Sequence, residues 1–203
     1  MTFPDSIGIV GSIAVGKTSL GQAFTRLRPE ISFFPDLPAE NPFLAHFYQD
    51  RKRWSFHSRI AFLAQRSEIY QKPTTGAIAV VDRPVHELIV FATAHHQSGY
   101  LSDDEFLVFQ SLHKTLVALC PMPRLFIRVA CATDKALRRI TERQRPFEVG
   151  IDEAYLRHIE NQYESWLSTL PPKTVITVRT DDEDPADIAQ SLLPKILNQI
   201  GNV

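Results

Sequence analysis

The segment at residues 11–18 reads Gly-Ser-Ile-Ala-Val-Gly-Lys-Thr and fits the phosphate-binding pattern G-x-x-x-x-G-K-[ST] at every fixed position. The apolar run at residues 7–10 precedes it and has the length of a buried strand. Residues 19–28 favour a helix, which Pro29 ends. Strand, loop and helix in this order are the context in which the pattern forms a phosphate-binding P-loop.

Each fixed position of the P-loop has a physical role. Gly11 and Gly16 let successive backbone N–H groups turn inward around phosphate oxygens. Lys17 adds a cation for the β- and γ-phosphates, and Thr18 offers a hydroxyl to Mg²⁺. The predicted nucleotide-binding residues are Gly11, Ser12, Ile13, Ala14, Val15, Gly16, Lys17, Thr18 and Ser19.

Composition limits the classes of protein to which this chain can belong. Its 203 residues and 44% hydrophobic content suit one compact domain over residues 1–203. The 22 basic and 23 acidic residues nearly cancel, so nothing attracts the chain to nucleic acid or to a membrane surface. Its two cysteines lack metal or disulfide spacing, and there is neither a secretion signal nor an apolar run long enough to span a membrane. We therefore expect a cytoplasmic protein.

Strands and helices alternate along the rest of the chain. Further strands are predicted at residues 31–36, 77–81, 124–130 and 174–178. Helices are predicted at residues 54–71, 85–95, 103–119, 134–143, 152–170 and 185–200, and at a helix that Asn41 caps and Pro42 begins. This alternation predicts an α/β P-loop kinase fold, a five-stranded parallel sheet with helices on both faces, with ligands at the carboxyl ends of the strands.

Charged residues stand at the ends of the second and third predicted strands. Asp36 follows the second strand, and Asp82 with Arg83 follows the third. In a parallel sheet these ends converge on the P-loop. A kinase acting on a hydroxyl needs a carboxylate near that proton, acidic support for a metal and cations near the transferred group. The three residues supply these groups.

A basic segment near residue 140 is a candidate lid. Arg139 and Arg143 are four residues apart and share one helix face, and Arg145 follows them. Over residues 138–150 these guanidiniums can close on the γ-phosphate and exclude water. The alternative is a solvated basic helix face. The predicted catalytic residues are Lys17, Asp36, Arg83, Arg139, Arg143 and Arg145.

The combination of these motifs resembles the deoxynucleoside kinase family, in particular its bacterial deoxyguanosine and deoxyadenosine kinase branch. The matching pieces are the P-loop, Asn41-Pro42-Phe43-Leu44, Phe47-Tyr48, Trp54-Ser55-Phe56, Asp82-Arg83, the lid at 139–148 and Glu164-Ser165-Trp166-Leu167. The resemblance implies that ATP, with Mg²⁺, phosphorylates the 5′-hydroxyl of a deoxynucleoside in nucleotide salvage. It also implies a homodimer, packed through helices around residues 53–72 and 84–95.

The resemblance implies a role for several individual residues. Asp36 stands where the family usually has a glutamate general base, and Arg83 would bridge this base and the 5′-oxygen. Asp82, with Thr18, would support the Mg²⁺ shell. Tyr48 and Glu148 would bind the sugar 3′-hydroxyl, and Tyr48 would also crowd the 2′ position.

The nucleobase region departs from the family pattern. Arg59 replaces a glutamine that pairs with the base, and Phe91, a candidate base-stacking ring, comes one residue early. Arg66 matches a family arginine, but its usual acidic partner after the Asp-Arg motif is missing, since His86-Glu87-Leu88 contains no aspartate. Since arginine only donates hydrogen bonds, Arg59 suits guanine O6 and N7, which tilts the expectation to purines and to deoxyguanosine.

Three other interpretations stay open at this stage. Arg59 could make a local ion pair with Glu40 or Asp50, leaving a relaxed pocket or one that no longer binds a nucleoside. Arg59 and Arg66 could instead hold an acceptor phosphate, as a nucleoside monophosphate kinase requires. The departures at Asp36 and Arg59 could also mark an ATP-binding regulatory protein or a catalytically lapsed kinase.

Overall fold

The computed structural model describes residues 5–74, 76 and 78–200. Its strands form one parallel sheet in the order β2-β3-β1-β4-β5. They are β1 (Asp5–Val10), β2 (Ile31–Phe34), β3 (Ile78–Asp82), β4 (Leu125–Ala130) and β5 (Val175–Arg179). The predicted five-stranded parallel sheet is confirmed; residue 77, the predicted start of its third strand in sequence, lies outside the described residues.

Helices connect the strands, as parallel pairing requires. They are α1 (Lys17–Leu27), α2 (Leu44–Gln49), α3 (Arg51–Glu68), α4 (Leu88–Gln97), α5 (Asp103–Leu119), α6 (Thr133–Arg143), α7 (Glu153–Leu167) and α8 (Pro185–Ile200). Within the described part of the chain, no helix combines the length and apolar character that crossing a bilayer would take.

Apolar side chains cover both faces of the sheet. On one face, Leu20 and Phe24 of α1 pack with Leu192 and Ile196 of α8. On the other face, α2, α3, α4 and α7 contribute a second cluster that includes Phe47, Phe62, Leu88 and Tyr163. Because both faces are covered, the central strands are almost continuously buried, as expected for a parallel sheet. The functional side chains are therefore confined to the strand ends and adjoining helices.

The prediction that Asn41 caps a helix is wrong. Helix α2 begins three residues later, at Leu44. The Asn41 carboxamide oxygen accepts a hydrogen bond from the backbone N–H of Phe43, and its nitrogen donates to the Ser58 carbonyl oxygen at 3.0 Å. Asn41 therefore forms a local turn that ties this loop to α3.

Two buried histidines, His86 and His95, stay neutral because burial disfavours the charged imidazolium. Both ring nitrogens of His86 lack a hydrogen-bond partner among the described residues. Burial lowers the pKa of His86 to about 4, and His113 acts in the same direction. His95 lies between Ser55 and Tyr155, with ring nitrogens 2.7 and 2.9 Å from their hydroxyls, and burial holds its pKa well below the usual value.

These histidines predict a loss of stability in mild acid. The unfolded state takes up the His86 proton near pH 6.5 and the folded state only near pH 4, so stability falls as the pH is lowered between these values. One such group contributes a slope of about 1.4 kcal/mol per pH unit. Urea unfolding from pH 7.5 to 4.5 should show a shallower slope for His86→Leu. An unchanged slope would contradict the neutral, buried state of His86.

Candidate active site

The P-loop connects β1 to α1, and its first glycine packs against β4. Gly11 has a φ of 146°, and a Cβ placed there would lie 2.3 Å from the Val129 carbonyl oxygen. Lys17 is buried and donates through Nζ to the Ser12 carbonyl oxygen at 2.5 Å. Burial lowers the pKa of Lys17 to about 7, Arg83 acts in the same direction, and nearby carboxylates oppose the shift. A phosphate anion beside the ammonium would favour its charged form.

A cavity of about 500 Å³ opens in front of the P-loop. Its size lies in the range of small-molecule sites. The predicted residues that line it are Ile13, Ala14, Gly16, Lys17, Thr18, Ser19, Asp36, Tyr48, Arg59, Arg66, Asp82, Arg83, Phe91, Arg139, Arg143, Arg145 and Glu148. The other predicted residues, Gly11, Ser12 and Val15, are buried in the loop and do not line the cavity. Residues far apart in sequence thus surround one space.

Thr18 and Asp82 form an oxygen-rich corner of this cavity. The Thr18 hydroxyl donates to Asp82 Oδ2 at 2.5 Å, and Asp82 Oδ1 is buried with no hydrogen-bond partner among the described residues. Burial raises the pKa of Asp82, and Lys17 opposes that shift. No cluster of three metal-binding side chains occurs in the ranges that the structure describes. Hard oxygen atoms in an incomplete shell fit Mg²⁺, which usually keeps waters and phosphate oxygens as further ligands.

Three buried charges, Arg66, Arg83 and Glu87, and the half-buried Asp36 form a ring beside the ends of β2 and β3. Arg66 Nη2 lies 3.1 Å from Asp36 Oδ1, and Arg83 Nε lies 3.3 Å from Asp36 Oδ2. Both arginines also face Glu87, with nitrogen to oxygen distances of 3.7 Å from Arg66 and 2.8 Å from Arg83. The prediction that the usual acidic partner of Arg66 after Asp82-Arg83 is missing is therefore wrong. Glu87, in the short 3-10 turn Val85–Glu87 that follows Arg83, takes this place and pairs with both arginines.

Tyr163 closes this ring from α7 and was missed by the sequence analysis. Its hydroxyl donates to Glu87 Oε2 and accepts from Arg83 Nη1, both at 2.8 Å. Arg83 itself has a φ of 62°, a backbone conformation that non-glycine residues rarely adopt. Arg83 Nη2 also donates to the Ser12 carbonyl oxygen at 3.1 Å. The Arg83 guanidinium is thus fixed between the P-loop, Asp36 and Tyr163.

These contacts predict that Tyr163→Phe lowers kcat. Loss of a hydrogen bond to charged groups costs about 1.5–3 kcal/mol, so we expect kcat to fall about ten- to hundred-fold. The KM for ATP should change little, because Tyr163 contacts Arg83 and Glu87 rather than cavity-lining P-loop residues. The matched control is Tyr100→Phe, which removes a hydroxyl that accepts from Arg51 outside the cavity. Equal kcat values for the two variants would contradict a positioning role for Tyr163.

The predicted lid consists of α6 and the 3-10 turn Pro146–Glu148. Arg139 donates to the Ala14 carbonyl oxygen at 3.2 Å and to the backbone oxygen of Thr180 at 2.7 Å. Arg143 donates to Glu148 at 2.5 and 2.7 Å, and Arg145 lies 3.7 Å from the same carboxylate. Arg139 thus lies against the P-loop, while the other two arginines lie with Glu148 at the cavity.

Aromatic side chains line the part of the cavity that α2, α3 and α4 form. Helix α2 contributes Tyr48, α3 contributes Phe62 and α4 contributes Phe91. Arg59 lies between the rings, with its guanidinium carbon 4.8 Å from the Phe62 centroid and 5.4 Å from the Phe91 centroid. The alternative of a local ion pair is wrong, since neither Glu40 nor Asp50 pairs with Arg59.

A P-loop at the carboxyl end of the central strand of a parallel sheet, facing a carboxylate, a cluster of arginines and an aromatic pocket, defines a P-loop phosphotransferase with a small-molecule acceptor. The family model for deoxynucleoside kinase matches residues 7–202. The chain belongs to the deoxynucleoside kinase family.

Several characterised proteins are similar to this chain. The deoxyadenosine/deoxycytidine kinase of Bacillus subtilis is 30% identical over 204 residues, covering 97% of this chain and 92% of that protein. The deoxyguanosine kinase of the same organism is 29% identical over 189 residues, covering 88% and 87%. A structure of deoxyadenosine kinase from M. mycoides, with dCMP and a flexible dCDP bound, has a TM-score of 0.82 at 21% identity, covering 96% of this chain and 99% of that one. This last similarity establishes the shared fold.

Proposed function

We propose that this protein transfers the γ-phosphate of ATP to the 5′-hydroxyl of a 2′-deoxynucleoside, with purines favoured and deoxyguanosine first among them. The observation that carries the proposal is that the P-loop, Asp36 and the aromatic pocket line one cavity. Phosphates at one end and a flat base at the other would leave the sugar beside Asp36. Family membership supports the same reaction.

The proposed transfer moves one proton to Asp36 and one phosphoryl group to the 5′-oxygen. Asp36 accepts the proton of the 5′-hydroxyl while the 5′-oxygen forms a bond to the γ-phosphorus. The bond between that phosphorus and the β,γ-bridging oxygen breaks, and ADP leaves with the electron pair. Lys17, Arg83 and the lid arginines offset the negative charge on the transferred group. Arg66 and Arg83 orient the Asp36 carboxylate through the ion pairs described above.

Thr18 and Asp82 would hold Mg²⁺ in the proposed enzyme. When bound, the metal would supply positive charge that offsets part of the charge of the phosphates. On the acceptor side, Tyr48 and Glu148 would bind the sugar 3′-hydroxyl. Their positions on the same cavity wall support that role.

The alternative of a nucleoside monophosphate kinase predicts a different acceptor. It requires two cations free for an acceptor phosphate, but Arg66 is already paired with Asp36 and Glu87. Steady-state kinetics with the four deoxynucleosides, dGMP and dCMP separate these reactions. We expect turnover with at least one nucleoside and none with the monophosphates. Turnover of the monophosphates alone would overturn the proposal, and ATP binding without any transfer would favour a regulatory protein.

We also propose that residues 1–203 act as one kinase domain in a cytoplasmic homodimer. Cys120 and Cys131 are both free, which suits a reducing compartment. The predicted interface around residues 84–95 is mostly buried within its own chain, whereas α5 exposes an apolar stripe. The stripe consists of Val108, Leu112 and Leu119, at spacings that share one helix face.

This stripe predicts the effect of a charged substitution. Leu112→Asp should shift the protein from dimer to monomer, because a buried carboxylate at the centre of the stripe would lack a partner. Light scattering coupled to size exclusion measures the mass, and Lys114→Asp on the same helix is the control. A dimer that survives Leu112→Asp would place the interface elsewhere.

A further inference from the structure

Arg59 is a buried cation without a carboxylate partner in the described residues. Only 4% of its surface is exposed, and it lines the cavity from α3. Its Nε has no hydrogen-bond partner within the described part of the chain, and its Nη2 makes one long contact of 3.5 Å to the Ser58 hydroxyl. A buried charge is costly unless it is paired and hydrogen-bonded. These unused donors call for acceptors on a ligand.

The neighbouring cations leave no carboxylate for Arg59. Asp36 and Glu87 both pair with Arg66 and Arg83 in the ring of charges. Burial lowers the pKa of Arg59 to about 10, so its guanidinium remains protonated at neutral pH. At this end of the cavity Arg59 therefore presents hydrogen-bond donors and a full positive charge.

The surroundings of Arg59 define the shape of the ligand group. Its guanidinium lies against Phe62 and Phe91, at 4.8 and 5.4 Å from the ring centroids. Arg66 and Arg83 lie against the same two rings, each 4.9 Å from one centroid, but both are paired with Asp36 and Glu87. A single guanidinium beside flat rings suits a heteroaromatic ring better than a phosphate, which needs donors on several sides. A guanidinium forms a bidentate pair with two adjacent acceptors, and among the bases guanine offers O6 with N7. Adenine and cytosine present an amino group, which also donates.

We infer that Arg59 is a specificity-determining residue that reads the 6-oxo group and N7 of a purine, so that the pocket selects 6-oxopurine deoxynucleosides whether or not they carry a 2-amino group. This inference rests on the proposed function and deepens it. The comparisons leave the base open, since the relatives at 30% and 29% identity act on different bases by their names. The pocket itself supplies the discrimination.

The test compares kcat/KM for deoxyguanosine, deoxyinosine, deoxyadenosine and 7-deaza-deoxyguanosine. Deoxyinosine keeps both acceptors and lacks the 2-amino group, so it should match deoxyguanosine within about three-fold. Deoxyadenosine, which replaces the oxo group by an amine, should be roughly 5- to 150-fold poorer, the range expected for one bidentate pair. The 7-deaza analogue should lie between them.

Substitution of Arg59 should remove this discrimination. A glutamine side chain both donates and accepts, so Arg59→Gln should bring deoxyadenosine to the level of deoxyguanosine or above it. The matched control is Arg53→Gln, which makes the same change on the same helix outside the cavity and should keep the wild-type order. Arg59 has no carboxylate partner among the described residues, but Arg59→Gln removes its packing against Phe62 and Phe91, so a cooperative thermal transition serves as the check that the variant is folded.

Binding without a phosphate donor separates this inference from the proposed function. Calorimetric titration should give the same order of nucleosides as the kinetics. Phosphorylation with no preference for the 6-oxo group, or an order unchanged by Arg59→Gln, would overturn the inference and leave the kinase activity standing. The absence of any deoxynucleoside phosphorylation would overturn the proposed function. If no phosphorylation occurs, tighter binding of deoxyguanosine than of deoxyadenosine would still support recognition of the base by Arg59. Equal affinity for the two nucleosides would refute it.

Discussion

Asp36→Asn is expected to lower kcat by about 10²- to 10⁴-fold, the usual contribution of a general base. The amide keeps the shape of the side chain but cannot accept the 5′-hydroxyl proton at neutral pH. ATP affinity should stay within about three-fold, because Asp36 lies at the end of β2 and outside the P-loop. Stopped assays with saturating nucleoside measure kcat, and calorimetry measures ATP binding.

Two outcomes decide the role of Asp36. Asp36→Glu keeps the carboxylate and adds one methylene, so it should retain most of the activity or at least far exceed Asp36→Asn. It also keeps the negative charge that faces Arg66 and Arg83. If Asp36→Asn turned over within a few-fold of the wild type, the proton would have another acceptor, and the proposed mechanism would be wrong.

Lys17→Met is expected to lower kcat by about 10²- to 10³-fold, the cost of removing one fixed donor from the site of developing charge. Lys17 is buried, and its ammonium lies over the Ser12 carbonyl oxygen, at the point where phosphates would enter. Methionine fills a similar volume, so the P-loop should keep its shape. The effect should appear in single-turnover rates, where product release does not contribute.

The exposed Lys195 provides a matched control for Lys17. Lys195→Met makes the same change on α8, outside the cavity, and should leave kcat unaltered. Lys17→Arg keeps the charge with a larger head group in a buried site, and we expect it to recover little activity. Wild-type turnover by Lys17→Met would contradict the phosphate-binding role of the loop.

The sequence was sufficient to predict the sheet and the residues at its strand ends. The P-loop pattern predicted β1 and α1, and the alternation of apolar runs predicted the order of the other strands and helices along the chain. Boundaries differed mainly where local hydrogen bonds compete with the helix. Asn41 is the clearest case, because its side chain bonds to Phe43 and Ser58 instead of capping α2. Residues 85–87 form a 3-10 turn, so α4 begins at Leu88 rather than at residue 85.

The partners of the site residues were harder to predict than the residues themselves. Glu87 stands in the segment that follows Arg83, where the family pattern places an aspartate, and a glutamate there can fill the same role. Tyr163 lies 80 residues from Arg83, and only the packing of α7 brings its hydroxyl to the guanidinium. The Thr180 hydroxyl donates to the Val15 carbonyl oxygen at 2.8 Å. This tertiary contact likewise has no local signal in the sequence.

Identification of the product tests the central claim most directly. The protein should be incubated with ATP, Mg²⁺ and the four deoxynucleosides, and the products identified by ³¹P NMR and mass spectrometry. We predict ADP and an equal amount of a deoxynucleoside monophosphate whose phosphorus couples to the two 5′ protons. Phosphate on the 3′-oxygen, or ADP with only inorganic phosphate, would contradict the claim that Asp36 and the P-loop direct transfer to the 5′-hydroxyl.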